Sequence, residues 1–271
     1  MTEQIRNTVI IAVGNQKGGV GKTTNTIQLA GALTERGRRS LIVDLDMTSG
    51  ATKALRAPTE GWNSSFELLT GAENAEDTII TNDEPEVAVP PNVHLVPSSR
   101  KLAELDTWLL QNPWCIHQNL LMNPMEQLRG RYDYIFLDTP PQKTTTTIPA
   151  LKVADFAVLS AMPDHLAVSA LSEALADIAA AQRSANPNLA LFGVVVCALP
   201  RRRHGSPGSW WPTWSEPVWM AMETPSSLPP RSAGASSSRK RSGRVKPSCS
   251  IGATIRWPTN TGPSPASSRI A

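Results

Sequence analysis

Cysteine is scarce: three occur in 271 residues, Cys115, Cys197 and Cys249. An odd, widely spaced set argues against a disulfide framework and fits a reducing compartment. No two of them have the spacing of metal ligands. Long apolar runs are missing as well. Nowhere do about 18 apolar residues follow one another, so no segment is expected to span a membrane. The opening MTEQIRNTVIIAVG has no long apolar core and no small-residue cleavage site, which argues against a secretory leader there. No internal repeat is visible, which argues against a solenoid.

Short apolar runs separated by helical patterns are present instead. TVIIAVG (Thr8–Gly14), SLIVDLD (Ser40–Asp46), VHLVPSS (Val93–Ser99), YIFLD (Tyr134–Asp138), FAVLSAM (Phe156–Met162) and LALFGVVVCAL (Leu189–Leu199) predict buried strands. Ile27, Ala30, Leu33 and Thr34 fall at helical spacing in a segment that stops at Gly37, and LAVSALSEALADIAAAQ predicts another helix. This alternation predicts an α/β fold, a mostly parallel sheet with helices on both faces. The stretch 57–89 is weakly patterned and is expected at the periphery.

Charge and composition change at Pro200. Residues 201–271 hold 11 basic and 2 acidic residues, against 15 and 21 in residues 1–200. The later part also has 15 Ser, 10 Pro and 5 Trp but no Phe. Such a composition buries too little apolar surface to offset chain entropy, so a disordered C-terminal tail is expected. The predicted division is an α/β domain over 1–200 and a basic tail over 201–271.

The chemistry is concentrated in NQKGGVGKTT, Asn15 to Thr24. A general phosphate loop reads G-x-x-x-x-G-K-[ST]. Gly21, Lys22 and Thr23 satisfy its end, but Gln16 stands where its first glycine belongs. The fitting variant is K-G-G-V-G-K-T-T, from Lys17 through Gly18, Gly19, Val20, Gly21, Lys22 and Thr23 to Thr24. The glycines let backbone N–H groups turn toward phosphate oxygens. The helix that follows presents its positive end to the same anion. Lys22 is the candidate for the β- and γ-phosphates, and the Thr23 hydroxyl for Mg²⁺. Asp44 and Asp46 end one strand and Asp138 another, placing carboxylates in the crevice where open α/β sheets bind ligands.

The loop with its second lysine resembles the deviant Walker A loop of the ParA/MinD family of ATPases. The resemblance covers about Thr8 to Leu199 and implies a P-loop NTPase-like fold that binds ATP and Mg²⁺. It implies that Lys17 is the signature lysine, reaching the partner's nucleotide in an ATP-sandwich homodimer. It makes Asp46 the residue that orients or activates the attacking water, with Asp44 helping to organise Mg²⁺. YDYIFLDTPP is similar to a Walker B strand, with Asp138 beside Mg²⁺ and a switch at Thr139–Pro141. Family members often continue DPQGNAT after the second motif, where this chain has DMTSGAT. QKTTTTIPAL keeps only the terminal Ala-Leu of the segment that usually follows Walker B.

Few residues precede the first strand, so no helix-turn-helix domain is expected there. The nearest likeness is therefore to short ParA-type DNA-partition ATPases. That implies a cytoplasmic, nucleoid-associated protein that binds DNA without sequence preference and answers to a ParB-like partner, with no membrane association. A MinD-like ATPase would need a C-terminal amphipathic helix, and an iron–sulfur reductase of this fold would need cysteines bridging a dimer. An inactive, truncated product is a further alternative.

The family's late elements have no counterpart after Pro200, and the tail reads like GC-rich DNA translated out of frame. In the frame starting at each third codon base, Trp210–Trp211–Pro212 forces Val-Ala and Trp219–Met220 forces Asp. Around Ser236–Ser268, permitted wobble bases yield a string containing GKTVLFYRSDDPVADEYRAVAREL, which resembles the C-terminus of ParA. A genuine nucleic-acid-binding tail is the alternative. The histidines His94 and His165 are expected at loops or strand ends rather than on metal. Cys197 is expected as a small buried hydrophobe.

Overall fold

The computed structural model describes residues 8–84, 87–163, 167–197 and 219–221. Among the described residues seven strands form one sheet: β1 (Val9–Gly14), β2 (Ser40–Asp44), β3 (Val93–Val96), β4 (Tyr134–Asp138), β5 (Phe156–Ala161), β6 (Ala190–Val196) and β7 (Trp219–Ala221). Their order is β3-β2-β4-β1-β5-β6-β7. The first six run parallel, as the alternating pattern predicts. β7 alone is antiparallel, on the outer side of β6.

The helices are α1 (Lys22–Thr34), α2 (Gly50–Ala54), α3 (Ser65–Thr70), α4 (Leu105–Gln111), α5 (Met122–Leu128), α6 (Thr147–Val153) and α7 (Ala167–Ser184). The pleat sends alternate residues of each strand to opposite faces, which makes two cores. Ile10, Ala12, Leu41, Val43, Ile135, Leu137, Ala157 and Leu159 pack against α3, α5, α6 and α7. Val13, Ile42, Phe136 and Val158 face the other way, onto Ala30 of α1 and Ala51 of α2. Both faces of the central strands are therefore dry, which is why those strands read as unbroken apolar runs. β6 is less covered, and its Phe192 is 43% exposed while meeting Phe156 edge-on.

The segment 57–89 is less peripheral than its weak pattern predicts. Ser64 caps α3 in a capping box with Glu67, and Leu68, Leu69 and Ala75 enter the core. Ile80 is buried and bridges antiparallel to Leu95 on the free side of β3. The elements here are only four to six residues long, too short to display a period.

The expectation of a disordered tail over 201–271 lies outside the described residues, apart from Trp219–Ala221. Those three form β7, which composition did not foretell. His165 also lies outside them. His94 lies near the start of β3, its Nδ1 2.8 Å from the Tyr132 hydroxyl. Among the described residues no helix is long and apolar enough to cross a membrane.

Candidate nucleotide site

β1, β2 and β4 end side by side, because the chain leaves β1 toward one edge and later returns to insert β4 between β1 and β2. The register puts Asp138 opposite Asp44 on one side and opposite Val13 on the other. The loop of residues 15–21 follows β1 directly and leads into α1, whose Thr23 reaches Asp138.

Backbone conformation explains two of the loop glycines. Gly19 and Gly21 have φ of 73° and 87°, the left-handed region that side chains resist. Gly21 is the N-cap of α1 and brings no side-chain acceptor, so the first-turn amides keep their capacity for an anion. A Cβ on Gly21 would also stand 2.9 Å from Cys197 Sγ. Gly21→Ala is therefore expected to cost about 1–2 kcal/mol from backbone strain, plus a steric share from the thiol. The double variant Gly21→Ala/Cys197→Ala should recover that share in urea melts; an identical loss in both would disprove the contact.

Lys22 is buried, and its ammonium donates to the Lys17 carbonyl at 3.1 Å. Desolvation lowers its pKa, while the charges of Asp138 and Asp46 act to raise it. Thr23 Oγ1 donates to Asp138 Oδ2 at 2.8 Å, and Thr26 Oγ1 donates to the other oxygen at 3.1 Å. Burial, followed by the neighbouring charge of Asp44, pushes Asp138 up to about 7. Asp44 is fully buried, and its Oδ2 accepts from the Thr52 amide and hydroxyl at 2.9 and 2.7 Å. Its Oδ1 accepts from the Asp46 amide at 3.1 Å. Desolvation raises it to about 6 against those hydrogen bonds. Asp44 is thus the anchor of the 46–52 turn, a role its sequence position did not reveal.

Asp46 follows on that turn, with Thr48 N–H donating to its Oδ1 at 2.8 Å and the Ser98 hydroxyl to its carbonyl at 2.7 Å. Lys17 is half-buried, and its amide donates to Asn15 Oδ1 at 3.1 Å. Gly18, Gly19 and Thr24 are exposed along the loop mouth, whereas Val20 is buried beneath it. Every residue expected from the sequence therefore lies on the loop or at the adjoining strand ends.

Sequence reasoning missed Thr26, which lies three residues after Thr23 and so shares its helix face. It missed Thr52, for which no local pattern exists. It also misplaced Cys197, which is half-buried, one residue beyond β6. Asn25 Nδ2 lies 3.2 Å from the Cys197 sulfur and donates to Ser160 Oγ at 2.8 Å. The thiol packs against the phosphate loop because parallel β5 and β6 end beside it. Cys115 lies elsewhere, in a groove with Trp108 and Ile116. Among the described residues no cluster of three or more His, Cys, Asp or Glu side chains could hold a metal. The oxygens of Thr23 and Asp138 nevertheless suit Mg²⁺, which takes one or two protein ligands and fills its shell with phosphate and water.

A family model described as an AAA domain matches residues 8–191, the span that carries the loop and all three aspartates. The sporulation initiation inhibitor protein Soj of Bacillus subtilis is 31% identical over 196 residues, 71% of this chain and 74% of that one. The chromosome-partitioning ATPase Soj of Thermus thermophilus is 33% identical over 187 residues, 69% of this chain and 68% of that one. A cobyrinic acid a,c-diamide synthase from Mycobacterium smegmatis, solved with an ATP analog and magnesium, has a TM-score of 0.63 at 30% identity, covering 70% of this chain and 72% of that one. With the two-lysine loop closed over Asp44 and Asp138 at the strand ends, this likeness places the chain in the ParA/MinD family of P-loop ATPases.

Proposed function

We propose that the chain is a ParA-type partition ATPase whose ATP-bound form is a sandwich dimer that binds DNA without sequence preference. One observation supports this above the others: the Lys17–Thr24 loop hangs over Asp138, with Thr23 already bonded to that carboxylate. The amides from Gly18 to Thr24 and the Lys22 ammonium hold the phosphates. Thr23 and Asp138 hold Mg²⁺, with Asp44 organising the surroundings; the ion supplies charge neutralisation at the phosphates. Lys17 extends to the nucleotide of a second copy. Asp46, fixed by Thr48 and Ser98, orients the attacking water.

The work proposed for this chemistry is plasmid or chromosome partitioning in the cytoplasm, at the nucleoid, with a ParB-like partner accelerating hydrolysis. The proposed domain ends near residue 200.

Asp46→Ala tests this reading. The variant is expected to keep ATP-dependent dimerisation in light scattering and DNA retention at 50 mM salt. It should lose about 10²-fold in turnover, the share of a positioned general base. Retention should fall steeply by 200 mM salt if phosphate contacts carry it. A wild-type chain that stays monomeric with ATP and Mg²⁺ would overturn the proposal.

A further inference from the structure

One carboxylate outside the phosphate site touches both loops that frame it. Asp177 lies on α7, between the buried Ala174 and Ile178. Its Oδ2 accepts from Gln16 Nε2 at 2.5 Å, and its Oδ1 pairs with Lys143 Nζ at 2.8 Å. Gln16 immediately precedes Lys17 in the phosphate loop. Lys143 belongs to the segment that follows Asp138, two residues beyond Pro141. Both loops reach this one side chain, above a small cavity lined by Gly14, Thr139, Pro140, Thr147, Leu151 and Ile178.

The helix that carries Asp177 is packed into the core. Ala174, Ile178 and Ala181 hold α7 in the core beneath β5. Asp177 itself is 17% exposed, so its two bonds are partly shielded from water. The 139–143 segment is tied near its start, where the Thr139 amide and hydroxyl both donate to the Val13 carbonyl, and again at Gln142, whose carbonyl accepts from the Thr147 hydroxyl at 3.3 Å. Between that tie and the start of α6, Lys143 is the charged contact to α7. Losing the carboxylate therefore removes a link from each loop at once, and leaves a half-buried Gln16 amide without its acceptor.

We propose that Asp177 is a positioning residue: it clamps Gln16 and Lys143 to α7 and so fixes the spacing between the Lys17 loop and the segment after Asp138. Its effect on turnover rests on the ATPase reading above; the clamp itself does not. A shift of about 1 Å in a catalytic framework costs up to ~10²-fold in rate, so a partial effect is expected from one clamp.

Two measurements test it together. In steady-state ATPase assays, Asp177→Ala and Lys143→Met should each lower kcat about 5- to 10-fold and leave KM within about 2-fold. The double variant should be no slower than Asp177→Ala alone, as groups acting through one contact are non-additive. Independently of turnover, hydrogen exchange should speed up in both 14–18 and 139–147 in Asp177→Ala, and not in β2. Exchange that rises only within α7, or kcat losses that multiply, would overturn the clamp. A wild-type chain without ATP turnover would sink the ATPase reading, and the exchange pattern would still decide on Asp177.

Discussion

Lys22→Ala and Lys17→Ala are expected to fail in different ways. Lys22→Ala should lose ATP affinity by about 10- to 100-fold, because a charge-assisted contact to phosphate in a shielded site is worth roughly 1.5–3 kcal/mol, and its loss also leaves the Asp46 and Asp138 charges without their lysine. The ammonium is buried and donates to the Lys17 carbonyl at 3.1 Å, inside the loop that would hold the phosphates. Lys17→Ala should keep monomer affinity within a few-fold, since the amides of the loop and Lys22 remain. It should instead lose the ATP-dependent dimer and with it most turnover. Fluorescent-nucleotide titration and light scattering separate the two outcomes. Equal loss of binding in both variants would mean that Lys17 serves its own chain's nucleotide, and the sandwich assignment would fall.

The loop itself was legible in ten residues, because a phosphate loop is local chemistry: glycines, lysine and threonine must follow one another between a strand and a helix. Asp138 was legible for the same reason, as the end of an apolar strand. The register shows why Asp44 belongs with it: β2 and β4 are neighbours, and the two aspartates face each other. What local pattern could not supply is what strands bring together from afar. Thr52 meets Asp44 across a turn, and Asp177 meets Gln16 across 161 residues. Cys197 looked like a strand hydrophobe because its neighbours are Val194 to Val196. Its real environment is set by where parallel β6 stops relative to α1.

The segment 57–89 shows the opposite failure. Its helices are too short for periodicity, yet Leu68, Leu69 and Ile80 are as buried as the central strands. Burial there is decided by the free side of β3, which needs covering, and not by any amphipathic repeat. β7 is a related case. The outer side of β6 is an edge, and three residues from a stretch of unpromising composition pair with it. Edge pairing asks little of sequence beyond backbone groups, so composition is a poor guide to it.

Asp138→Asn is expected to stabilise the metal-free chain and to destroy its catalysis. The carboxylate is wholly buried, and burial with Asp44 alongside raises it to about 7. A group whose folded pKa lies above its unfolded value, about 4, binds more protons in the folded state between those two pH values. Its contribution is therefore fully present below about pH 4, falls as the pH rises, and is lost above about 7. At pH 8 the wild type must hold a buried charge that Lys22 offsets only in part, since burial and Asp44 still outweigh the lysine, whereas asparagine holds none. Its amide still offers one acceptor to the Thr23 and Thr26 hydroxyls, which can rotate to accept as well as donate. The variant should gain about 1–3 kcal/mol at pH 8 in chelator, and close to nothing at about pH 2, below both pKa values, where Asp138 is protonated in both states. Turnover with Mg²⁺ and ATP should drop about 10²–10³-fold, as when one preorganised electrostatic group is removed. Thermal melts across pH, run beside ATPase assays, read both sides. A variant less stable at pH 8 would show that Lys22 already compensates the charge. Asp138 would then be a structural ion partner and not a carboxylate kept uncomfortable for the sake of a cation.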